Sequence, residues 1–368
     1  MLAYIARRLL FIAPTLLGIM ALNFLVIHVA PGGPIDQILS NIKGTGVDVT
    51  ARVSGIDSGE IQQGGGGGAG DGQVGSYRGA QGLDPEFIAE LERQYGFDKP
   101  LLERFGAMVW NYARFDFGES YFRSETVIDL VLEKMPVSIS LGLWTTLLTY
   151  LIAIPLGIRK AVNDGSTFDV WTSAVVIIGN AVPSFLFAIL LIVLFAGGSF
   201  VDWFPLRGLT SENWDELSLI GKIIDYFWHL ALPLTALMIG AFAGLTMLTK
   251  NSFLDQINMQ YVQTARAKGL GERRVLYGHV FRNAMLIVIA GFPGAFIGIL
   301  FTGSLLIEII FSLDGLGLLG YEAALKRDYP VMFASLYMFG LLGLVVQLIT
   351  DLTYVLIDPR IDFETREA

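Results

Sequence analysis

"QYVQTARAKGLGERRVLYGHVFRN", residues Gln260 to Asn283, is a basic stretch rich in small residues, set between two of the most apolar segments of the chain. Around it, 53% of 368 residues are hydrophobic and 16% are charged. Mean hydropathy is +0.58, too apolar for a chain that keeps its whole surface in water, so the chain is expected in a membrane. There is no cysteine, which excludes disulfide frameworks, thiol nucleophiles, thiolate zinc sites and iron–sulfur clusters. A net charge of −9 argues against a nucleic-acid partner.

A helix crosses a hydrocarbon core of roughly 30 Å with about 20 apolar residues. Six such runs are present: Leu9 to Ala30, Pro136 to Ile158, Val170 to Ala196, Phe227 to Thr249, Ala284 to Phe311 and Val331 to Ile357. Several contain proline (Pro14, Pro155, Pro183, Pro233, Pro293), which membrane helices tolerate because neighbours re-satisfy the freed backbone. The first run follows Arg7 and Arg8 and ends in "HVAPGGP" without a clean small-residue cleavage site, so it is expected to remain as an anchor. Lys and Arg number about 12 in the amino terminus, "RKAVNDGSTFD", the opening stretch and the carboxy tail, against about 4 in the two short loops opposite. The expected orientation puts both termini in the cytoplasm.

Residues 31–135 then lie outside. Within them, 41–82 lack apolar periodicity and include "GGGGGAGDG", the composition of a flexible insertion. No Lys-Ser or Lys-Thr follows these glycines, which excludes a Walker-type phosphate loop. Residues 83–135 are expected to form amphipathic helices. Asp84 and Pro85 start one that carries Phe87, Ile88, Leu91 and Tyr95 and stops at Gly96. Leu101, Leu102, Phe105, Val109 and Tyr112 mark a second, and Val127, Leu130 and Val131 a third, short one ahead of span two.

Leading into the opening stretch, Leu254, Ile257 or Asn258, Tyr261 and Ala265 recur three or four apart, one face of a helix that ends at Gly269 and Gly271. Two readings fit. Lys268, Arg273 and Arg274 suit an interfacial helix held by anionic lipid headgroups. Thr264, Ala265 and Ala267 suit a docking helix, small enough for another protein's groove to approach.

"YVQTARAKGLGERRVLYGHVFRNA" resembles the coupling-loop signature of ABC importer permeases in its dipeptide and oligopeptide form. Gln263, Thr264, Ala265 and Gly269 stand at the pattern's positions, and the glutamate of the general pattern is absent. "EIIFSLDGLGLLGYEAALKRDYPV" is similar to the family's segment before the last span, matching at Glu308, Phe311, Gly315, Leu316, Gly317, Arg327, Asp328, Tyr329 and Pro330, with Asp314 where many relatives have proline. "DLTYVLIDPRID", through Asp351, Tyr354, Asp358, Pro359 and Arg360, and "RRLLFIAPTLLGIMALNFLVIHVAPGGP" match as well. The insertion, with "GLDPE" and "YGFDKP", resembles the subgroup of oligopeptide permeases that also admits microcin C.

The resemblance implies an all-α polytopic membrane protein with six transmembrane helices of the type I ABC importer permease kind and an external insertion between helices 1 and 2. The divisions are 1–30 for the amino terminus and first helix, 31–135 outside, 136–358 for a five-helix core with the coupling loop 250–283, and 359–368 for a cytoplasmic tail. It implies a non-catalytic subunit of the bacterial inner membrane that carries oligopeptides. Its partners would be a second homologous permease, two ATPase domains or subunits, and a periplasmic peptide-binding protein. This chain would hold no cofactor, ATP and Mg²⁺ belonging to the ATPases; it has no GxxxxGK[ST] of its own. Tyr261, Gln263, Thr264, Ala265, Lys268 and Gly269 are the expected coupling residues. Gly269→Asp or Ala265→Asp is expected to abolish uptake with the protein still in the membrane.

Glu308 is a candidate for the translocation path, because intramembrane acids are costly and face the bundle interior; it is equally a partner for the Gly315 to Gly320 loop. Asn180 with Pro183 either opens span three toward the path or makes a packing kink. Asp351 is expected to pair with Arg7 or Arg8. His28, His229 and His279 lack metal-binding spacing, and "TGS" around Ser304 lacks a base. An ion-coupled secondary transporter is the alternative, which should show inverted repeats; an intramembrane hydrolase would need paired Asp, Ser/His or HExxH within spans.

Overall fold

The computed structural model of the chain describes residues 2–29, 99–123, 125–197, 200–298 and 305–357. The insertion 41–82, the helix expected from Asp84 to Tyr95, Ser304, the Asp358–Arg360 motif, and the side chains of His28 and Tyr354 lie outside the described residues. Among these residues the structure is helical, with a single isolated antiparallel bridge, Glu119 to Thr126. The elements are α1 (Leu2–Val29), α2 (Leu101–Ala113), α3 (Val127–Val162), α4 (Thr167–Ala181), α5 (Ser184–Phe195), α6 (Leu219–Ile257), α7 (Gln260–Ala267), α8 (Glu272–Val275), α9 (Phe281–Ala290), α10 (Phe292–Gly298), α11 (Leu305–Ile310), α12 (Leu316–Lys326) and α13 (Tyr329–Ile357). A π-helical turn, Leu276–Val280, joins α8 to α9.

Five helical segments among the described residues are long and apolar enough to cross a membrane: Tyr4–Val26, Val127–Val162, Leu219–Ile257, Glu272–Phe296 and Tyr329–Thr353. The pair α4 and α5 makes a sixth if counted as one span. Two starting points need correction, those of spans two and five, and the bend expected at Pro183 is present. Span two does not begin at Pro136 behind a separate short helix, since Val127 to Val162 is one helix. Its start is set by Thr126, whose Oγ1 accepts from Asp129 N at 3.3 Å, so the cap lies ten residues upstream of where the apolar run begins.

Span three is not straight: α4 and α5 meet at 96°. Pro183 has no N–H to continue the ladder and forces Val182 into extended backbone, φ −86° and ψ 120°, which is what ends a helix before proline. Span five starts earlier than Ala284, at Glu272, because the π turn carries the helix through the basic stretch. Its expected continuation to Phe311 crosses residues 299–304, which lie outside the described residues; α10 is described to Gly298 and α11 from Leu305.

By backbone packing the chain divides into two units, one of Met1–Phe11, Leu132–Leu319 and Leu341–Ala368, the other of Ile12–Val131 and Gly320–Gly340. The first holds two apolar cores. One gathers Leu141, Ala188, Leu191, Leu230, Leu234, Leu237, Ile307 and Phe311 from α3, α5, α6 and α11 with its following residue. The other gathers Ile158, Phe253, Val262, Ala265, Val275, Val280, Ala284 and Val288, so α7, α8 and the π turn pack on α3, α6 and α9. Within this unit Arg8 and Tyr4 hold Asp351 Oδ2, each at 2.8 Å, so the basic partner of Asp351 is Arg8.

The second unit is clasped around Asp328, which is buried and accepts from Ser120 Oγ and from Tyr121 N at 3.2 Å. Burial pushes its carboxyl above the usual carboxylate range against the pull of these donors. Arg123 reaches Glu322 at 3.3 Å. Tyr112, Phe117 and Tyr337 pack edge to edge or tilted, centroids 4.9 to 5.8 Å apart. Tyr112 of the predicted apolar stripe is buried and Phe105 stands edge-on to Phe24 at 5.3 Å, whereas Leu101 and Leu102 at its start are exposed, so α2 faces the unit from Phe105 onward.

Candidate functional site: the coupling segment

Helix α6 stops at Asn258, and Met259 is extended with φ −71° and ψ 151°. The face read from Leu254 through Ala265 is therefore not one helical face: the chain breaks between its halves. What the break permits is an eight-residue helix, α7, laid with two residues inward. Val262 is fully buried and Ala265 is 6% exposed, both in the core that contains Phe253. Tyr261 is half-buried and donates to Gln256 Oε1 at 2.9 Å, which ties α7 back to the end of α6.

The carboxyl end of α7 is a Schellman motif. Gly269 N donates to Arg266 O at 2.8 Å and Leu270 N to Ala265 O at 3.3 Å. Gly269 sits at φ +80°, where a side chain is strained, with nothing within 4 Å of where a Cβ would be. Across the turn Arg266 holds Glu272 through Nε at 3.0 Å and Nη2 at 3.1 Å, a two-pronged bond that fixes the loop.

Of the six expected coupling residues, Gln263, Thr264, Lys268 and Gly269 are exposed, as is Ala267 of the expected docking face, together with Met259 and Gln260, which the sequence reading did not assign to the site. Thr264 Oγ1 returns to Gln260 O at 3.0 Å, so its methyl and small volume are what it offers outward. Ala265 lies on the inner side. Its replacement by Asp would put a carboxylate into an apolar core, so that variant fails by misfolding and does not report on docking.

Behind the segment is a buried ion cluster built from α3, α4 and α6. Lys160 has no exposed surface, and its three ammonium protons are taken by Asp169 O at 2.9 Å, Thr172 Oγ1 at 2.9 Å and Ser173 Oγ at 2.6 Å. Asp169 Oδ1 lies at 2.9 Å as its counter-charge. Lys250 completes the set, 2.7 Å from Asp169 Oδ2 and 2.8 Å from Asp164. Spacing alone hides this group, since "RKAVNDGSTFD" reads as a solvated loop and Lys250 is 81 residues from Asp169.

The three path candidates are not one cluster. Asn180 and Pro183 are exposed at the bend of α4 and α5. Glu308 is fully buried and accepts from Leu318 N at 2.7 Å and Ser138 Oγ at 3.4 Å. Its carboxylate fills the space beside Gly315, where an added Cβ would stand 2.6 Å from Cδ.

These elements define a class. The family model for the binding-protein-dependent transport system inner membrane component matches residues 153–363, more than half of the chain, and the chain belongs to that family. It is a multi-pass inner-membrane permease subunit of an ABC importer, which replaces the secondary transporter weighed from the sequence. The chain is 64% identical over 366 residues to the peptidoglycan transport system permease protein YejB of Agrobacterium fabrum, covering 100% of both. It is 58% identical to the inner membrane ABC transporter permease protein YejB of Escherichia coli O157:H7, over 99% of this chain and 100% of that one. Identity to the oligopeptide transport system permease protein AppB of Bacillus subtilis is 33%, again over 99% and 100%. A crystal structure of the inward-facing MetNI methionine ABC transporter shares the fold, with a TM-score of 0.50 at 16% identity, over 64% of this chain and 99% of the other.

Proposed function

We propose that this chain forms part of the path by which an ATP-driven importer carries short peptides, those released from peptidoglycan in particular, across the inner membrane. The cargo class is supported by the names borne by the relatives, peptidoglycan transport for one and oligopeptide transport for another. Microcin C-like peptides are a second cargo of the same chemistry. The partners are a second permease chain, two ATPase subunits or domains that bind ATP and Mg²⁺, and a periplasmic peptide-binding protein. Both termini and α7 lie on the cytoplasmic side.

One observation carries the coupling role: α7 keeps Val262 and Ala265 inside while turning Gln263, Thr264, Lys268 and Gly269 out. A close-packed core transmits displacement because its side chains have no room to yield. When the ATPases close on ATP and push the outer side of α7, Val262 and Ala265 pass the movement to Phe253 of α6 and Val280 and Ala284 at the foot of α9. The buried Lys160, Asp169 and Lys250 cluster holds α3, α4 and α6 together while this happens. The bundle then swings as a rigid body between two packings.

The test is to tag the carboxy terminus, purify from gently solubilised membranes, and identify the chains that travel with it. Recovery of a sibling permease and ATPase chains is expected, with uptake of a labelled peptidoglycan-derived peptide lost in Gly269→Asp at unchanged membrane abundance. Purification of the chain alone, or normal uptake by Gly269→Asp, contradicts the proposal.

A further inference from the structure

The basic stretch suits two occupants, an ATPase groove and anionic lipid, and the structure separates the residues open to each. The outward side of α7 carries small and uncharged residues with Lys268. Beyond the Schellman turn the character changes. Arg273 and Arg274 stand in the first turn of the segment that runs on as the candidate span Glu272–Phe296. Tyr277 follows four and three residues later, which places all three on one side of a helix. They line a single open cavity of about 460 Å³, and Tyr277 is 55% exposed. The backbone under Tyr277 is the π turn Leu276–Val280, an irregularity that recurs at functional sites.

Basic residues are in excess along the stretch. Gln260 to Asn283 holds five Arg or Lys residues and one acid, Glu272, and Arg266 occupies both oxygens of that acid. Among the described residues neither Arg273 nor Arg274 has an ion-pair partner. Two guanidinium forks side by side match the oxygens of a phosphodiester. Tyrosine is the residue that sits at headgroup level, with its ring toward hydrocarbon and its hydroxyl toward water. Further along the same segment Ile287 and Ile289 are exposed, an apolar surface for acyl chains.

We propose that Arg273, Arg274 and Tyr277 bind the anionic headgroup of a membrane phospholipid. A lipid is favoured over a soluble anion because the cavity opens at the head of a membrane span, where phosphates of the leaflet are held at high local concentration and draw basic residues. The stretch thus has two readers: protein on α7, and lipid on the helix that follows.

The assembled transporter, exchanged into nanodiscs of phosphatidylcholine with and without phosphatidylglycerol, supplies the test. Native mass spectrometry is expected to find at least one retained phosphatidylglycerol in wild type and in Lys268→Gln that is missing in Arg273→Gln/Arg274→Gln. Wild type alone is expected to melt higher in the discs that contain phosphatidylglycerol, a readout that survives if the double variant does not fold. Equal retention in all three proteins, or no melting difference between disc types, overturns the proposal. Displacement of the retained lipid by inorganic phosphate overturns it in favour of a soluble anion. Loss of the ATPase chains from the double variant with lipid retention unchanged overturns it in favour of a protein contact.

Discussion

Residues 260–283 and residues 305–319 are both glycine-containing, both follow or precede a span, and both carry family-like motifs, yet they dispose of their polar groups in opposite ways. In 305–319 both acids are paired within the chain. Glu308 takes Leu318 N and Ser138 Oγ, Ser138 Oγ also accepts from Leu316 N at 2.8 Å, and Lys134 pairs with Asp314. In 260–283 the apolar residues are consumed and most of the polar ones are left out: Val262, Ala265, Val275 and Val280 are buried while Gln263, Thr264, Lys268, Arg273 and Arg274 are exposed. An acid buried in a membrane protein is a reason to look inward for its partners. Exposed small and basic residues backed by an apolar core are a reason to look outward for another molecule.

The contrast can be broken or sharpened by substitution. The largest effect is expected for Ala265→Asp, an unpaired charge placed in the core beside Val262, costing about 4 kcal/mol or more; the chain should vanish from membrane fractions. Next comes the inward segment. Gly315→Ala drives a Cβ onto the Glu308 carboxylate and is expected to cost about 1–3 kcal/mol, read as a lower melting temperature of the purified complex. Glu308→Ala is expected to cost about 1–3 kcal/mol by stranding Leu318 N, and equal melting of this variant and wild type would remove Glu308 from the structural role described here. Gly269→Ala meets open space and costs only the strain of a positive φ, about 1–2 kcal/mol. The smallest change in stability, within about 0.5 kcal/mol, is expected for Thr264→Asp, whose uptake should nevertheless fall. A Thr264→Asp protein that melts and transports like wild type would erase the distinction between the two segments.

Legibility from sequence followed the range of the forces. Span identity was legible because it needs only a local apolar run, and the carboxyl end of α7 was legible from Gly269. Pro183 announced a break without its size, since 96° reflects how α5 packs on α6 in the core around Leu191 and Leu237. The break at Asn258 carried no glycine or proline to mark it. The assignment of Ala265 to the docking surface failed because helical spacing shows which residues share a face and not which way the face points. The Lys160, Asp169 and Lys250 cluster was invisible because its members come from three helices. Glu308 was read correctly as an inward acid, and its loop partner was named, but the backbone donor Leu318 lay ten residues away in a turn that only the fold defines.

The most direct measurement uses the absence of cysteine from the chain. Thr264→Cys makes one thiol at the centre of the outward side of α7, and its labelling by a maleimide can be followed on the mass of this chain, in the permease alone and in the assembled transporter. The expected result is rapid labelling of the isolated permease and protection in the complex, with protection changing when ATP is added. Equal labelling in both states, with the ATPase chains present and hydrolysing ATP, would contradict the claim that α7 is where their movement is received.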